Sequence, residues 1–142
     1  MQPALFDTSL YISALRRGDS SALNLKSIAP ESPLWLSSVV LEELYAGADE
    51  RAEKALERLE RDFAQVKRIL VPALSDWTQA GRVLARLGSR YDYEHIGRGR
   101  LTNDALIAIS AARLGIRLLT ANQRDFVRLA EFHHFQWQVI KF

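Results

Sequence analysis

The chain has 142 residues, 48% of them hydrophobic and 25% charged, enough to bury one proper core without outside staples. It contains no cysteine, which excludes a disulfide framework, a thiolate metal site and a cysteine nucleophile, and leaves oxygen or histidine to hold any metal. Nineteen Lys and Arg against seventeen Asp and Glu give a net charge of only +2, which does not by itself announce a polyanionic partner.

One domain over residues 1–142 is expected. The N-terminus has no basic region followed by a long apolar run, and no stretch of about 18 uninterrupted apolar residues occurs, so a soluble, cytoplasmic protein with no membrane contact is expected.

Ala4 to Phe6 form a short apolar run that ends at Asp7-Thr8-Ser9, and Leu10, Ile12 and Leu15 then precede Gly18. This reads as a strand followed by a helix. Leu34 to Ser38 reads as a second strand, with a helical pattern from Val39 onward. In that pattern Leu41, Leu44, Tyr45, Ala48, Ala52, Leu56, Leu59 and Phe63 share one face at about 100° per residue. Gly47 should break or bend it, giving two helices or one kinked helix.

Arg68 to Val71 before Pro72 gives a third strand, and Ser75-Asp76 looks like the cap of a helix running through Trp77, Ala80, Val83, Leu84 and Leu87. A glycine-punctuated loop, residues 97–100, leads to Thr102-Asn103-Asp104. The helix from Ala105 to Leu114 is apolar almost all round and stops at Gly115, as a buried helix with a glycine cap would. Arg117 to Thr120 is a strand ending in the polar segment Ala121-Asn122-Gln123-Arg124-Asp125, and Phe135 to Ile140 a final strand. Alternating strands and helices predict an α/β protein, with three α/β/α layers and a mainly parallel central sheet.

In such a sheet, ligands bind beyond the carboxyl ends of the strands. Asp7 and the segment from Thr120 to Asp125 fall at two of those ends. Asp7 alone could equally cap the following helix. Asp104 lines up with Ile107, Ala108 and Ala111 on a face turned toward the sheet, where a carboxylate is either a first-turn acid behind a Thr102 cap or a metal or catalytic group. Glu43 lies opposite the Leu41/Leu44/Ala48 stripe, where glutamate is usually solvated. It gains interest from following a strand end by one helical turn, with Glu42 as a rival about 100° away.

Several such oxygens together suit Mg²⁺ or Mn²⁺, which prefer octahedral oxygen shells of carboxylates, waters and substrate phosphate. A cation so held can polarise a phosphodiester and activate water against it. Sequestering four acids would leave thirteen against nineteen cations, fifteen of them arginine, the better fork for phosphate. Arg98 and Arg100, and with them Arg124 and Arg128, are candidates for sequence-blind phosphate contacts, although arginines on loops and helix faces are often merely solvated. Ser9 and Thr120, beside the strand-end acid, are further candidates for touching substrate. His95, His133 and His134 make no ligand pattern on one helix face, Ser9, Ser37 and Ser38 have no evident histidine partner, and no phosphate loop ending in Lys-Ser or Lys-Thr occurs.

The ordered set Phe6-Asp7-Thr8-Ser9, Ser38 through Glu43-Leu44 to Gly47, Thr102-Asn103-Asp104-Ala105-Leu106, and Leu119-Thr120-Ala121-Asn122-Gln123-Arg124-Asp125-Phe126 resembles the PIN-domain family. It is most similar to the VapC-like toxins of type II toxin–antitoxin pairs, over essentially the whole chain. No single segment is specific. The resemblance implies an Mg²⁺- or Mn²⁺-dependent endoribonuclease acting on RNA, frequently a homodimer, inhibited by a cognate antitoxin. It places the family's acids at Asp7, Glu43 and Asp104, with the fourth position at Asn122 or Asp125. Asn122 would bring a carbonyl without charge, and Asp125 could supply the charge directly or through water.

Two other readings remain. One is a non-catalytic PIN-like module that binds RNA or protein. The other is a phosphatase with Asp7 as nucleophile, although Ser9 stands where haloacid-dehalogenase-type enzymes carry a second Asp.

Overall fold

The computed structural model describes residues 1–17, 25–92 and 98–141, with side chains from Leu101 onward in the last stretch. The expectations resting on Gly18, His95, Gly97 and the side chains of Arg98 and Arg100 lie outside the described residues.

Five parallel strands form the central sheet in the order β3-β2-β1-β4-β5: β1 (Ala4–Phe6), β2 (Leu34–Ser37), β3 (Ile69–Leu70), β4 (Arg117–Thr120) and β5 (Trp137–Val139). Six helices flank it among the described residues: α1 (Thr8–Arg17), α2 (Ser38–Ala46), α3 (Glu50–Gln65), α4 (Leu74–Tyr91), α5 (Arg98–Arg113) and α6 (Gln123–Ala130). The predicted three-layer α/β/α architecture is therefore present.

The central strand explains the layering. Ala4, Leu5 and Phe6 are all buried, on both faces of the sheet, which is what a parallel strand covered by helices on each side requires. From β1 the chain builds outward to β2 and β3, then crosses back to place β4 on the other side of β1. The reversal makes the carboxyl ends of β1 and β4 the switch point of the sheet, where ligands bind in open α/β sheets.

Several boundaries differ from those read in the sequence. Ser38 begins α2 rather than ending β2, because Ser37 is the N-cap and its Oγ accepts the Val39 N–H at 3.1 Å. Gly47 does separate two helices, and Asp49 caps the second by accepting from the Ala52 N–H at 2.8 Å. The fifth helix starts at Arg98, so residues 98–104 are helical rather than loop. It ends before Gly115, whose φ of 68° suits a glycine stop.

The helix α6 was not anticipated. Its Phe126 and Leu129, three residues apart, are buried, and Phe126 packs edge-on against Phe135 with centroids 6.2 Å apart. The start of α4 also differs: Ala73 is the cap position, and Asp76 reaches back to accept the Ala73 N–H at 2.8 Å. The same buried carboxylate takes Arg113 Nη2 at 3.0 Å, tying the start of α4 to the end of α5.

Candidate active site

Asp7 immediately follows β1 and is 3% exposed, so its carboxylate is held almost entirely by protein. Ser9 Oγ donates to Oδ1 and Thr120 Oγ1 donates to Oδ2, each at 2.6 Å. The backbone N–H groups of Ser9 and Leu10 add to this support, so Asp7 also caps α1. Burial pushes its carboxyl above the ordinary 3.8, and the hydroxyl and backbone donors only partly oppose that rise. The result is a carboxyl bonded at both oxygens whose charged form is costly to bury.

The two hydroxyls are themselves fixed. Ser9 Oγ accepts the Ala121 N–H at 3.0 Å and Thr120 Oγ1 accepts the Asn122 N–H at 2.8 Å. Each proton then has one productive direction, toward Asp7. Thr120 and Ser9, read in the sequence as substrate contacts, both donate to the strand-end acid in this structure.

One residue beyond Asp7, Thr8 Oγ1 donates to Glu43 Oε1 at 2.6 Å. This bond spans 35 residues and draws the α2 glutamate to the start of α1. Glu43 is half-buried whereas Glu42 is exposed, which favours the former as the inward-facing acid. The fully solvated Glu43 that its helical phase allowed is not what the fold builds. Thr8 carried a recognisable signal, a hydroxyl beside a strand-end acid, that the sequence reading did not use.

Asp104 sits on α5, which packs against both α2 and β4. It is 8% exposed, and Ile107, Ala108 and Ala111 on the same helical face are buried, as its phase required. At the end of β4, Asn122 Nδ2 donates to Asp125 Oδ2 at 3.0 Å, both side chains being half-buried. The two candidates for the fourth position are thus neighbours in one hydrogen-bonded unit. Arg124 is exposed, and Arg128 lies over the Tyr91 ring at 4.9 Å from its centroid.

Asp7, Ser9, Thr120, Asn122 and Asp125 are therefore linked by hydrogen bonds, with Glu43 attached through Thr8. Among the described residues no group of three or more Asp, Glu or His side chains is gathered as around an ion. The donor chemistry nonetheless fits a hard divalent cation: the available donors are oxygens, and the desolvated Asp7 carboxylate gains from a positive neighbour.

Comparison with known proteins bears on the fold and the family. No curated protein sequence matches the chain. Among solved structures, the fold resembles VapBC2 from Rickettsia felis bound to a DNA fragment from their promoter, with a TM-score of 0.68 and 23% identity over 99% of this chain and 100% of that one. DNA-bound VapBC from Salmonella typhimurium gives a TM-score of 0.66 at 21% identity over 98% of each chain. VapBC-1 from nontypeable Haemophilus influenzae gives 0.65 at 24%, over 97% of this chain and 98% of that one. At these identities the likeness is one of fold, and that fold is VapC-like. The PIN domain model matches residues 4–132, from the first residue of β1 past the end of α6. With all four segments that carry the candidate site inside that match, the chain belongs to the PIN-domain family.

Proposed function

We propose that the chain is a metal-dependent endoribonuclease and the toxin member of a toxin–antitoxin pair. The observation that carries this reading is the buried Asp7 carboxylate where the carboxyl ends of β1 and β4 meet, held by Ser9 and Thr120, with Glu43 tethered one residue away. Family membership supports a nuclease. The VapBC complexes among its structural relatives support a cognate antitoxin, and the homodimer and cytoplasmic location expected from the sequence complete the proposal.

Asp7, Glu43 and Asp104 would hold Mg²⁺ or Mn²⁺, with Asp125 completing the set and Asn122 orienting it. When bound, such an ion polarises the phosphodiester, lowers the pKa of water and stabilises the leaving oxygen. The chain's own residues set the stage. Ser9 and Thr120 fix both oxygens of Asp7, Thr8 keeps Glu43 at the same edge, and the buried Asp104 supplies a third anionic oxygen from α5. Arg124, exposed on the first turn of α6, provides positive charge where a phosphate backbone would enter.

A cleft of about 700 Å³ is lined by Tyr11, Leu15, Leu34, Leu56 and Phe63 together with Lys26, Arg58, Asp62 and Arg68, and by none of these acids. No helix among the described residues is long and apolar enough to cross a membrane.

Incubation with total RNA and with single-stranded DNA, in Mg²⁺, Mn²⁺ or EDTA, tests the activity. RNA should be degraded only with a divalent ion. Degradation that persists in EDTA would contradict the metal role, and cleavage of DNA alone would contradict the substrate.

A further inference from the structure

A cationic groove lies outside the candidate site, between α4 and the turn after α6. Arg82, Arg86 and Arg90 recur every four residues on the exposed face of α4, about 6 Å apart along its axis. The single acid of that helix, Asp76, is buried against Arg113 and does not offset them. Arg128 of α6 joins the same surface. Its guanidinium and that of Arg90 lie over the Tyr91 ring, at 4.9 and 5.4 Å from the centroid.

Glu131 accepts the Tyr91 hydroxyl at 2.7 Å and stands 3.9 Å from Arg90 Nη2. Among the described residues, even counting Glu131 and Asp92 at the end of α4, four guanidiniums stand against two carboxylates. Between them is a shallow groove of about 450 Å³ lined by Ala85, Arg86, Ser89, Arg90 and Phe132. Its lining is more apolar than polar: Arg86, Arg90 and Ser89 bring the charge and the hydroxyl, and Ala85 and Phe132 an apolar and aromatic surface.

Helix α6 carries residues of both the candidate site and this surface. The first turn of α6 carries Asp125 and its last turn carries Arg128, and the helix of eight residues spans about 12 Å. A strand held at Asp125 therefore has Arg128, and beyond it the α4 arginines, within a few nucleotides' reach. Arginines that follow a backbone beside an aromatic surface are the elements of sequence-tolerant single-strand binding.

We propose that the α4–α6 groove is a track for single-stranded RNA, holding the nucleotides that flank the scissile bond. Arg86 and Arg90 contact phosphates and Phe132 receives a base. Tyr91 and Glu131 hold Arg90 and Arg128 in place before the strand arrives. This inference rests on the ribonuclease reading but assigns a surface that the acidic site does not include.

The test measures RNA affinity by fluorescence anisotropy in an Asp7→Asn background, using oligonucleotides of about four and about sixteen nucleotides, the range of single-strand site sizes. The double variant Arg86→Gln/Arg90→Gln should bind the longer RNA about tenfold more weakly, and its salt slope should fall by about 1.4 for two lost phosphate contacts. Arg86→Lys/Arg90→Lys should keep most of the affinity. With Asp7 intact, the Gln pair should cleave the four-nucleotide RNA at the wild-type rate.

Unchanged affinity and slope for the longer RNA, in a chain that still cleaves the short one, would overturn the track and leave the ribonuclease reading standing. A protein that neither binds nor cleaves RNA overturns both. Loss of binding to polyglutamate with RNA binding intact would assign the groove to an acidic protein instead, and also overturns the track.

Discussion

Thr120 Oγ1 donates to Asp7 Oδ2 across 2.6 Å, joining the carboxyl ends of two adjacent parallel strands whose residues are 113 apart in sequence. The bond matters because Asp7 is nearly inaccessible to water, and its two hydroxyl donors do not fully offset the cost of burying its charge.

That imbalance has a sign. With its folded pKa raised above 3.8, Asp7 favours the folded state most while protonated, and this contribution is lost as pH rises through the folded pKa. In metal-free protein, Asp7→Asn should therefore raise Tm relative to wild type at pH 7, with the gain shrinking as pH falls toward 4. Saturating Mn²⁺ should raise the wild-type Tm and leave the variant's unchanged. Thermal melts at both pH values, with and without Mn²⁺, check this. A variant less stable at pH 7 than at pH 4, relative to wild type, contradicts it.

Thr8 acts on Glu43 rather than on substrate. Removing its hydroxyl in Thr8→Val should lower Mn²⁺ affinity by about 10–100-fold, the range for groups that orient a metal ligand, while Thr8→Ser retains most of it. Calorimetric titration with Mn²⁺ measures the difference. Equal affinities for Thr8→Val and wild type would detach Glu43 from the site.

Under the proposed metal role, the Asn122–Asp125 bond would let the two share one job, the carboxylate serving as ligand and the amide fixing it. Asp125→Asn should then raise the Mn²⁺ concentration needed for half-maximal cleavage by about tenfold or more, and Asn122→Ala should raise it less. The reverse order would move the fourth position to Asn122.

Much of this site was legible because strand ends and chemistry coincide. Ala4–Phe6 and Arg117–Thr120 are apolar runs that stop at polar groups, and the apolar neighbours of Asp104 at one helical phase required its burial. Helical phase misjudged Glu43, because the hydroxyl that retains it lies 35 residues away and no local pattern records that contact. Gly97 and Gly99 suggested a loop where α5 begins at Arg98, since tertiary packing outweighs the weak helix propensity of glycine. The polar run Asn122 to Asp125 hid α6, whose signal was the pair Phe126 and Leu129. Strand order could not be read locally, since it depends on which strands pair.

Asp76 is a structural acid rather than a functional one. Its side chain is 2% exposed and that of Arg113 38%, so removing the arginine strands a buried anion, while removing the aspartate leaves a cation that water can reach. Arg113→Ala should cost about 3 kcal/mol and Asp76→Ala about 2 kcal/mol, the latter mostly as a lost cap and ion pair. Urea unfolding gives both values. Cleavage per folded molecule should be unchanged in each, and a loss of activity at full stability would place the pair in the catalytic machinery.

The most direct measurement is the single-turnover cleavage rate of a defined RNA at rising Mn²⁺, for wild type and Asp7→Asn, with an EDTA arm. A saturable wild-type rate that vanishes in EDTA is expected, with a loss in the variant beyond the roughly 100-fold upper range of outer-shell effects. Equal rates for the two proteins, or wild-type cleavage that survives EDTA, would contradict that expectation.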